Sequence, residues 1–140
     1  VRRVVAMGGN FHGTDFRGMA GRMGAFASKH PHFTALVAPG AAQQLAGSAW
    51  LREFASGPDT APGIVYTSIY SPADTVVTPT STSMLEAGPG ADVANIDSGQ
   101  WYDGYAPHHS LMPRDPLYAE LTAWGLLREV GDHVPPAHFE

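Results

Sequence analysis

Three short runs of apolar and β-branched residues, separated by segments with helical character, constrain the fold more than any other feature. The runs are residues 3–7, 63–70 and 92–96. The second, GIVYTSIY, is the strongest strand signal, because Ile, Val, Tyr and Thr all favour strands. Strands that alternate with helices form parallel sheets joined by right-handed crossovers. The sequence therefore predicts an α/β fold, and 140 residues suffice for one domain.

Four segments carry helical signals. Ser48 and Asp115 are predicted N-caps, and Pro116 suits the first helical position. The last helix is predicted to end at Gly131. Its core-facing side is predicted from residues at helical spacing, which are Leu117, Leu121, Trp124 and Leu127. The predicted helices are residues 16–28, 41–45, 49–55 and the helix that begins at Pro116.

Composition excludes several classes of protein. A net charge of −5 and a single lysine argue against a nucleic-acid binder, which needs basic residues to neutralise phosphates. The same balance disfavours binding to anionic membrane surfaces. The chain has no cysteine, so disulfides and thiolate metal sites are excluded. No apolar run approaches the ~20 residues that cross a bilayer, so no integral membrane segment is predicted.

Polar residues follow each predicted strand, where parallel sheets gather ligands and catalytic groups. Phe11 and His12 follow the first strand, and Asp74 follows the second. The third strand leads into a long connection, residues 98–114, that contains two adjacent histidines. Connections beyond ~12–15 residues are uncommon and often functional. Each strand is thus followed by a polar or ionisable group, and we expect these groups to lie together at the carboxyl ends of the strands, which we call the rim.

Asp74 and the histidine pair each allow two interpretations. Asp74 is either a turn residue that accepts hydrogen bonds from nearby amides, or a carboxylate that orients a histidine. Side chains of His108 and His109 cannot both face one site in an extended segment, so at most one acts as a general base. The two rim loops are neighbours in a parallel sheet, which puts a histidine within reach of Asp74.

The order of these residues adds information. Catalytic residues of α/β-hydrolases run Ser, Asp, His along the chain, with the serine in a G-x-S-x-G turn. Asp74 followed by a histidine after the next strand matches the second half of that order. No serine of this sequence lies in a G-x-S-x-G turn. Because the sequence opens inside a predicted strand, we expect a longer protein whose nucleophile lies upstream.

Two segments closely resemble class 2 bacterial lipases, which are α/β-hydrolases common in actinobacteria and bacilli. Residues 65–77, VYTSIYSPADTVV, resemble the segment that bears their catalytic acid. Residues 109–116, HSLMPRDP, resemble their catalytic-histidine segment, and this register selects His109 over His108. The H-G-T of residues 12–14 and the Q-Q-L of residues 43–45 resemble two further family segments. The resemblance covers residues 2–130.

The resemblance implies the C-terminal half of an α/β-hydrolase fold, without the strand that bears the nucleophile. Residues 1–131 would form the partial domain, and residues 132–140 a flexible tail. It implies a secreted triacylglycerol lipase or esterase that acts on lipid or ester substrates without a cofactor. His109 would be the base and Asp74 its acid, whereas the chain alone would be inactive. Gly9-Asn10-Phe11 replaces a run that usually contains proline, which leaves substrate preference open at that loop.

Several aromatic residues and one histidine lie in the loops after the predicted strands and are candidates for substrate contacts. Phe11, His12, Trp101 and Tyr105 are predicted to line the substrate site, because lipids need apolar walls. Aromatic packing beneath the long loop is an equally good interpretation. A metal-binding module is disfavoured, because the histidines show no helical H-x-x-x-H pair. A non-catalytic interaction protein with a degenerate hydrolase fold, or another α/β-hydrolase such as an acyltransferase, stays open.

Overall fold

The three predicted strands form one parallel sheet in the order β1-β2-β3. In this computed structural model the described residues are 1–19, 22, 29–30, 32 and 39–137. The strands are β1 (Arg3–Met7), β2 (Val65–Tyr70) and β3 (Asp92–Asp97). Val5 pairs with Thr67, and Thr67 pairs with Ala94, which sets the register of the sheet. The predicted α/β arrangement with a parallel sheet and flanking helices is confirmed.

The described helices agree with most of the local signals. Ser48 Oγ accepts a hydrogen bond from the amide of Leu51 at 3.1 Å, and Asp115 Oδ1 accepts from Tyr118 at 3.2 Å. Both residues are therefore N-caps, as predicted. The helices are α1 (Pro39–Gln43), α2 (Ala49–Phe54), α3 (Ser98–Trp101) and α4 (Pro116–Leu127), with 3₁₀ turns at Thr80–Ser83 and Met112–Arg114.

The helix predicted for residues 16–28 is not found where the structure describes that segment's start. Residues 16–19 form a turn, in which Phe16 and Arg17 have positive φ angles of 46° and 57°. Such angles are incompatible with a right-handed helix. Arg22 is helical, and residues 20–21 and 23–28 lie outside the described residues.

Helix α4 packs on β1 and β2 and closes the core. Tyr118 is fully buried, and its hydroxyl donates to Ser98 Oγ at 3.0 Å. Gly125 lets the helix approach the sheet closely, because a Cβ there would lie 3.0 Å from Thr67 and from Val5. The main core cluster comprises Ile69, Ala94, Ile96, Met112, Leu117, Tyr118 and Leu121.

One core prediction for α4 is wrong. Leu127 was expected on the buried face, but it is 77% exposed. The residue that contacts the sheet is Gly125, two positions before Leu127, so Leu127 lies on nearly the opposite side of the helix. The helix also ends before Gly131, because Arg128 adopts an extended conformation with ψ of 147°. A glycine that packs against a sheet is not recognised as a buried position from hydrophobicity. The spacing of the large apolar residues therefore predicted the wrong limits for the buried face of α4.

Arg128 anchors the end of α4 to the amino-terminal parts of β2 and β3, away from the carboxyl ends where the predicted site lies. It is 3% exposed, and its Nη2 lies 2.5 Å from Asp92 Oδ1 at the start of β3. It also donates to Thr67 Oγ1 at 3.0 Å and to the carbonyl of Tyr66 at 2.8 Å. The second Asp92 oxygen accepts from the amide of Gly131 at 2.7 Å. Arginine suits such a site because its guanidinium offers several donors in one plane.

Described residues of the tail form hydrogen bonds at two places, with Arg128 and with Tyr102 at the end of α3. Arg128 Nη1 donates to the carbonyl of Asp132 at 2.8 Å, and the Tyr102 hydroxyl donates to the carbonyl of Pro136 at 2.8 Å. The flexibility expected of residues 132–140 stays a prediction, and residues 138–140 lie outside the described part of the chain.

The Arg128 anchor predicts an acid-sensitive stability. Burial raises the pKa of Asp92, but hydrogen bonds from Gly131, Arg128 and His133 outweigh it and hold the pKa below its ordinary value of 3.8. The folded pKa is thus below the unfolded one, so this stabilisation is complete above the unfolded pKa and is lost as pH falls through the folded pKa. Urea unfolding at successive pH values should show the loss in wild type and a smaller loss in Asp92→Asn. An identical acid profile in both proteins would contradict this assignment.

Candidate active site

Asp74 lies in the turn that follows β2 and is almost completely buried, with 1% of its side chain exposed. Its amide donates to the carbonyl of Ser71 at 3.1 Å, which closes the turn. Its Oδ1 accepts hydrogen bonds from the amides of Val76 at 2.8 Å and Val77 at 3.0 Å. The turn thus fixes the carboxylate and leaves Oδ2 available to another partner.

That partner is His109. Its Nδ1 lies 2.7 Å from Asp74 Oδ2, and the ring is one-third exposed. The neighbouring His108 is exposed, so the structure brings His109 to the carboxylate, as the sequence register predicts. An ionised carboxylate only accepts hydrogen bonds, which favours the tautomer that carries its proton on Nδ1. The Nε2 atom, which has no hydrogen-bond partner among the described residues, is then free to accept a proton.

Gly8 makes room for this pair. It follows β1 directly, has a positive φ of 55°, and donates its amide to the carbonyl of Ile69 at 2.8 Å. A Cβ at this position would lie 3.0 Å from His109 Nδ1 and 3.2 Å from Asp74 Oδ2. Glycine therefore serves both the backbone conformation and the space that the pair needs. Gly8 was not singled out from the sequence, because the need for a glycine there comes from the His109 ring, which is distant in sequence.

His109 lines an open cleft of about 500 Å³. This volume lies within the range of small-molecule sites. Asn10 is a polar residue in the wall of the cleft, and its Nδ2 donates to the carbonyl of Gln44 at 3.0 Å. Most other walls are apolar, and the described lining residues comprise Gly8, Asn10, Phe11, Gln44, Trp50, Leu51, Phe54, Val76, Val77 and His109. The arrangement sets a proton acceptor beside a surface that suits hydrocarbon.

The four residues predicted to bind substrate lie in different places. Phe11 lines the cleft. His12 Nε2 lies 2.9 Å from Asp59 Oδ2, and Tyr105 donates its hydroxyl to Asp115. Trp101 is 45% exposed on α3. In the described structure, none of these three lines the cleft beside His109, and their role in binding stays a prediction.

Two aromatic residues are among the lining residues that sequence reasoning missed. Trp50 and Phe54 lie on α2, with ring centroids 5.2 Å apart and ring planes inclined by 6°. Both are exposed, Trp50 at 48% and Phe54 at 69%. Two aromatic residues four positions apart on a predicted helix share one face, which was a usable signal.

Tyr70 and Tyr105 both have raised pKa values. Burial raises the pKa of Tyr70 at the end of β2, and the nearby Asp97 carboxylate adds to the effect. A hydrogen bond to Asp115 raises the pKa of Tyr105. Both phenols are therefore protonated at neutral pH, and Tyr105 donates its hydroxyl to Asp115.

Comparisons with known proteins add no assignment. Neither a scan against protein-family models nor a search of curated proteins found a match to this chain. Among the residues that the structure describes, no three histidine, aspartate or glutamate side chains are placed to hold a metal ion. Within the same ranges, no helix combines the length and apolar character that crossing a bilayer requires. The arrangement of Asp74, His109 and the apolar cleft is thus the strongest basis for a functional assignment.

Proposed function

We propose that this chain supplies the acid and the base of a serine ester hydrolase of the class 2 bacterial lipase type. The observation that carries this proposal is the hydrogen bond between buried Asp74 and half-buried His109 at the carboxyl ends of parallel strands. In this view the chain is the C-terminal half of an α/β-hydrolase fold. The nucleophile-bearing strand lies upstream and pairs with the outer edge of β1.

The geometry supports an acyl-enzyme mechanism. Nε2 of His109 accepts the proton of the upstream serine as the serine oxygen attacks the ester carbonyl. Asp74 stabilises the imidazolium that forms and keeps the ring in its orientation. His109 then returns the proton to the leaving alcohol, and the same base activates water to hydrolyse the acyl-enzyme. Upstream amides supply the oxyanion hole.

Two features favour an enzyme over a non-catalytic protein with a degenerate hydrolase fold. An interaction module has no need of a buried carboxylate held by two amides and hydrogen-bonded to a half-buried histidine. The apolar cleft next to that histidine further favours esters with a hydrocarbon part, as in lipids. Secretion rests on the resemblance alone, and the fold does not separate an ester hydrolase from another α/β-hydrolase such as an acyltransferase.

The test is to extend the gene upstream, look for a G-x-S-x-G turn, and assay the extended protein with p-nitrophenyl butyrate. We expect hydrolysis by the extended protein and none by the 140-residue chain, because the nucleophile and the oxyanion hole are both absent from it. Replacement of the turn serine by alanine should abolish the activity. An extended gene without the turn, or hydrolysis that survives the serine replacement, would reject the proposal.

A further inference from the structure

A second cleft adjoins the first. It has a volume of about 310 Å³, and its walls include Val4, Tyr66 and Leu85. Phe11 and Phe54 line both clefts. We call the cleft beside His109 the inner lobe and the second cleft the outer lobe. Because the same two rings line both, those rings lie at the boundary between the lobes, and we call the two lobes together the trough.

The two boundary rings are held differently. Phe11 donates its amide to the carbonyl of Thr82 at 3.1 Å, and its ring packs on Gly9, where a Cβ would lie 2.5 Å from it. Phe54 is the last residue of α2, is 69% exposed, and stacks on Trp50. Phe11 is therefore a fixed wall built into its loop. Phe54 is a surface ring whose removal would open the trough without disturbing the core.

We propose that Phe54 sets the length of hydrocarbon that the inner lobe accepts. This inference rests on the proposed function, because the ligand is the alkyl chain of the ester that His109 would help to cleave. A chain that begins at His109 fills the inner lobe and then meets Phe54, which separates it from the outer lobe. Each buried methylene contributes about 0.8 kcal/mol, or about fourfold in affinity. Affinity therefore rises with chain length until the chain reaches Phe54, and then stays constant.

The experiment measures binding of linear alkan-1-ols, from butanol to dodecanol, to the chain by calorimetry. In wild type, affinity should rise by about fourfold per methylene and then reach a plateau. Phe54→Ala joins the lobes and should move the plateau to a longer alcohol, Phe54→Leu by a smaller step, and Phe54→Trp should not extend it. Leu127→Ala, at an exposed apolar residue on α4 outside both lobes, is the control and should keep the wild-type plateau.

Binding of alcohols needs no nucleophile, so this test is independent of ester hydrolysis. A failure of the extended protein to hydrolyse esters would reject the proposed function and leave the binding result unaffected. Circular dichroism verifies that each variant is folded, and the leucine variant gives a reading even if the alanine variant unfolds. The same plateau in wild type and both smaller variants, an equal shift in Leu127→Ala, or the absence of saturable binding would overturn the role of Phe54.

Discussion

Replacement of His109 by alanine in the upstream-extended protein should lower kcat for p-nitrophenyl butyrate by about a million-fold, and Asp74→Asn by about ten-thousand-fold. His109 is the base for both steps, so its loss leaves no group to take the serine proton. An asparagine at position 74 keeps the turn but no longer accepts from Nδ1 as a charged carboxylate does. His109 is then no longer held in the tautomer with its proton on Nδ1, and no carboxylate stabilises its cationic form.

The measurement is steady-state kinetics with His108→Ala as the matched control. His108 is exposed and adjacent in sequence, so its loss tests whether any histidine in this loop suffices. We expect the control to retain wild-type kcat, and KM to change little in the Asp74 variant, since the effect concerns the transition state. Equal losses in both histidine variants, or full activity of Asp74→Asn, would exclude this pair as the acid and base.

The same pair can be examined in the chain itself by nitrogen-edited NMR of the histidine rings. Asp74 Oδ2 at 2.7 Å from Nδ1 should keep His109 in the Nδ1-protonated tautomer at neutral to basic pH. Asp74→Asn should shift the population toward the other tautomer. This measurement separates a mispositioned His109 from a missing nucleophile, because it requires no activity.

Local signals predicted the frame of the structure well. Asp115 followed by Pro116 predicted the start of the last helix, because a capping side chain and a fixed φ act within one turn of chain. The pairing of Asp74 with His109 was also accessible, although the two are far apart in sequence. Neighbouring parallel strands place the loops that follow them side by side. The order of the strands was therefore enough to predict that the loops bearing Asp74 and His109 lie close together.

Other features depend on contacts that no local pattern encodes. Gly8 matters because of the ring that lies above it, and Gly125 because of the sheet beneath it. Leu127 was misassigned for the same reason, since the rotation of α4 is fixed by where the helix can approach most closely. The spacing of Trp50 and Phe54 indicated an aromatic face on α2, but only the position of α2 beside the loop after β1 makes Phe54 a wall of two lobes.

Arg128→Met should destabilise the chain by about 3–5 kcal/mol, which is a large share of the roughly 5–15 kcal/mol that stabilises a typical domain. The substitution keeps much of the side-chain volume but removes the charge that faces Asp92 and the donors to Thr67 and Tyr66. The Asp92 carboxylate then remains largely buried without its cation. Urea unfolding followed by circular dichroism measures the loss, and a variant that is already unfolded without denaturant has lost at least the whole stability of the wild type.

Two comparisons decide whether the burial of this ion pair is the cause. Arg114→Met removes an exposed arginine and should change stability by no more than about 0.5 kcal/mol. The double variant Arg128→Met with Asp92→Asn should recover part of the loss, because it removes the stranded charge that dominates the cost of the single variant. A loss below about 1 kcal/mol in Arg128→Met would place the pair among surface ion pairs. No recovery in the double variant would assign the anchor instead to the hydrogen bonds that Arg128 donates to β2.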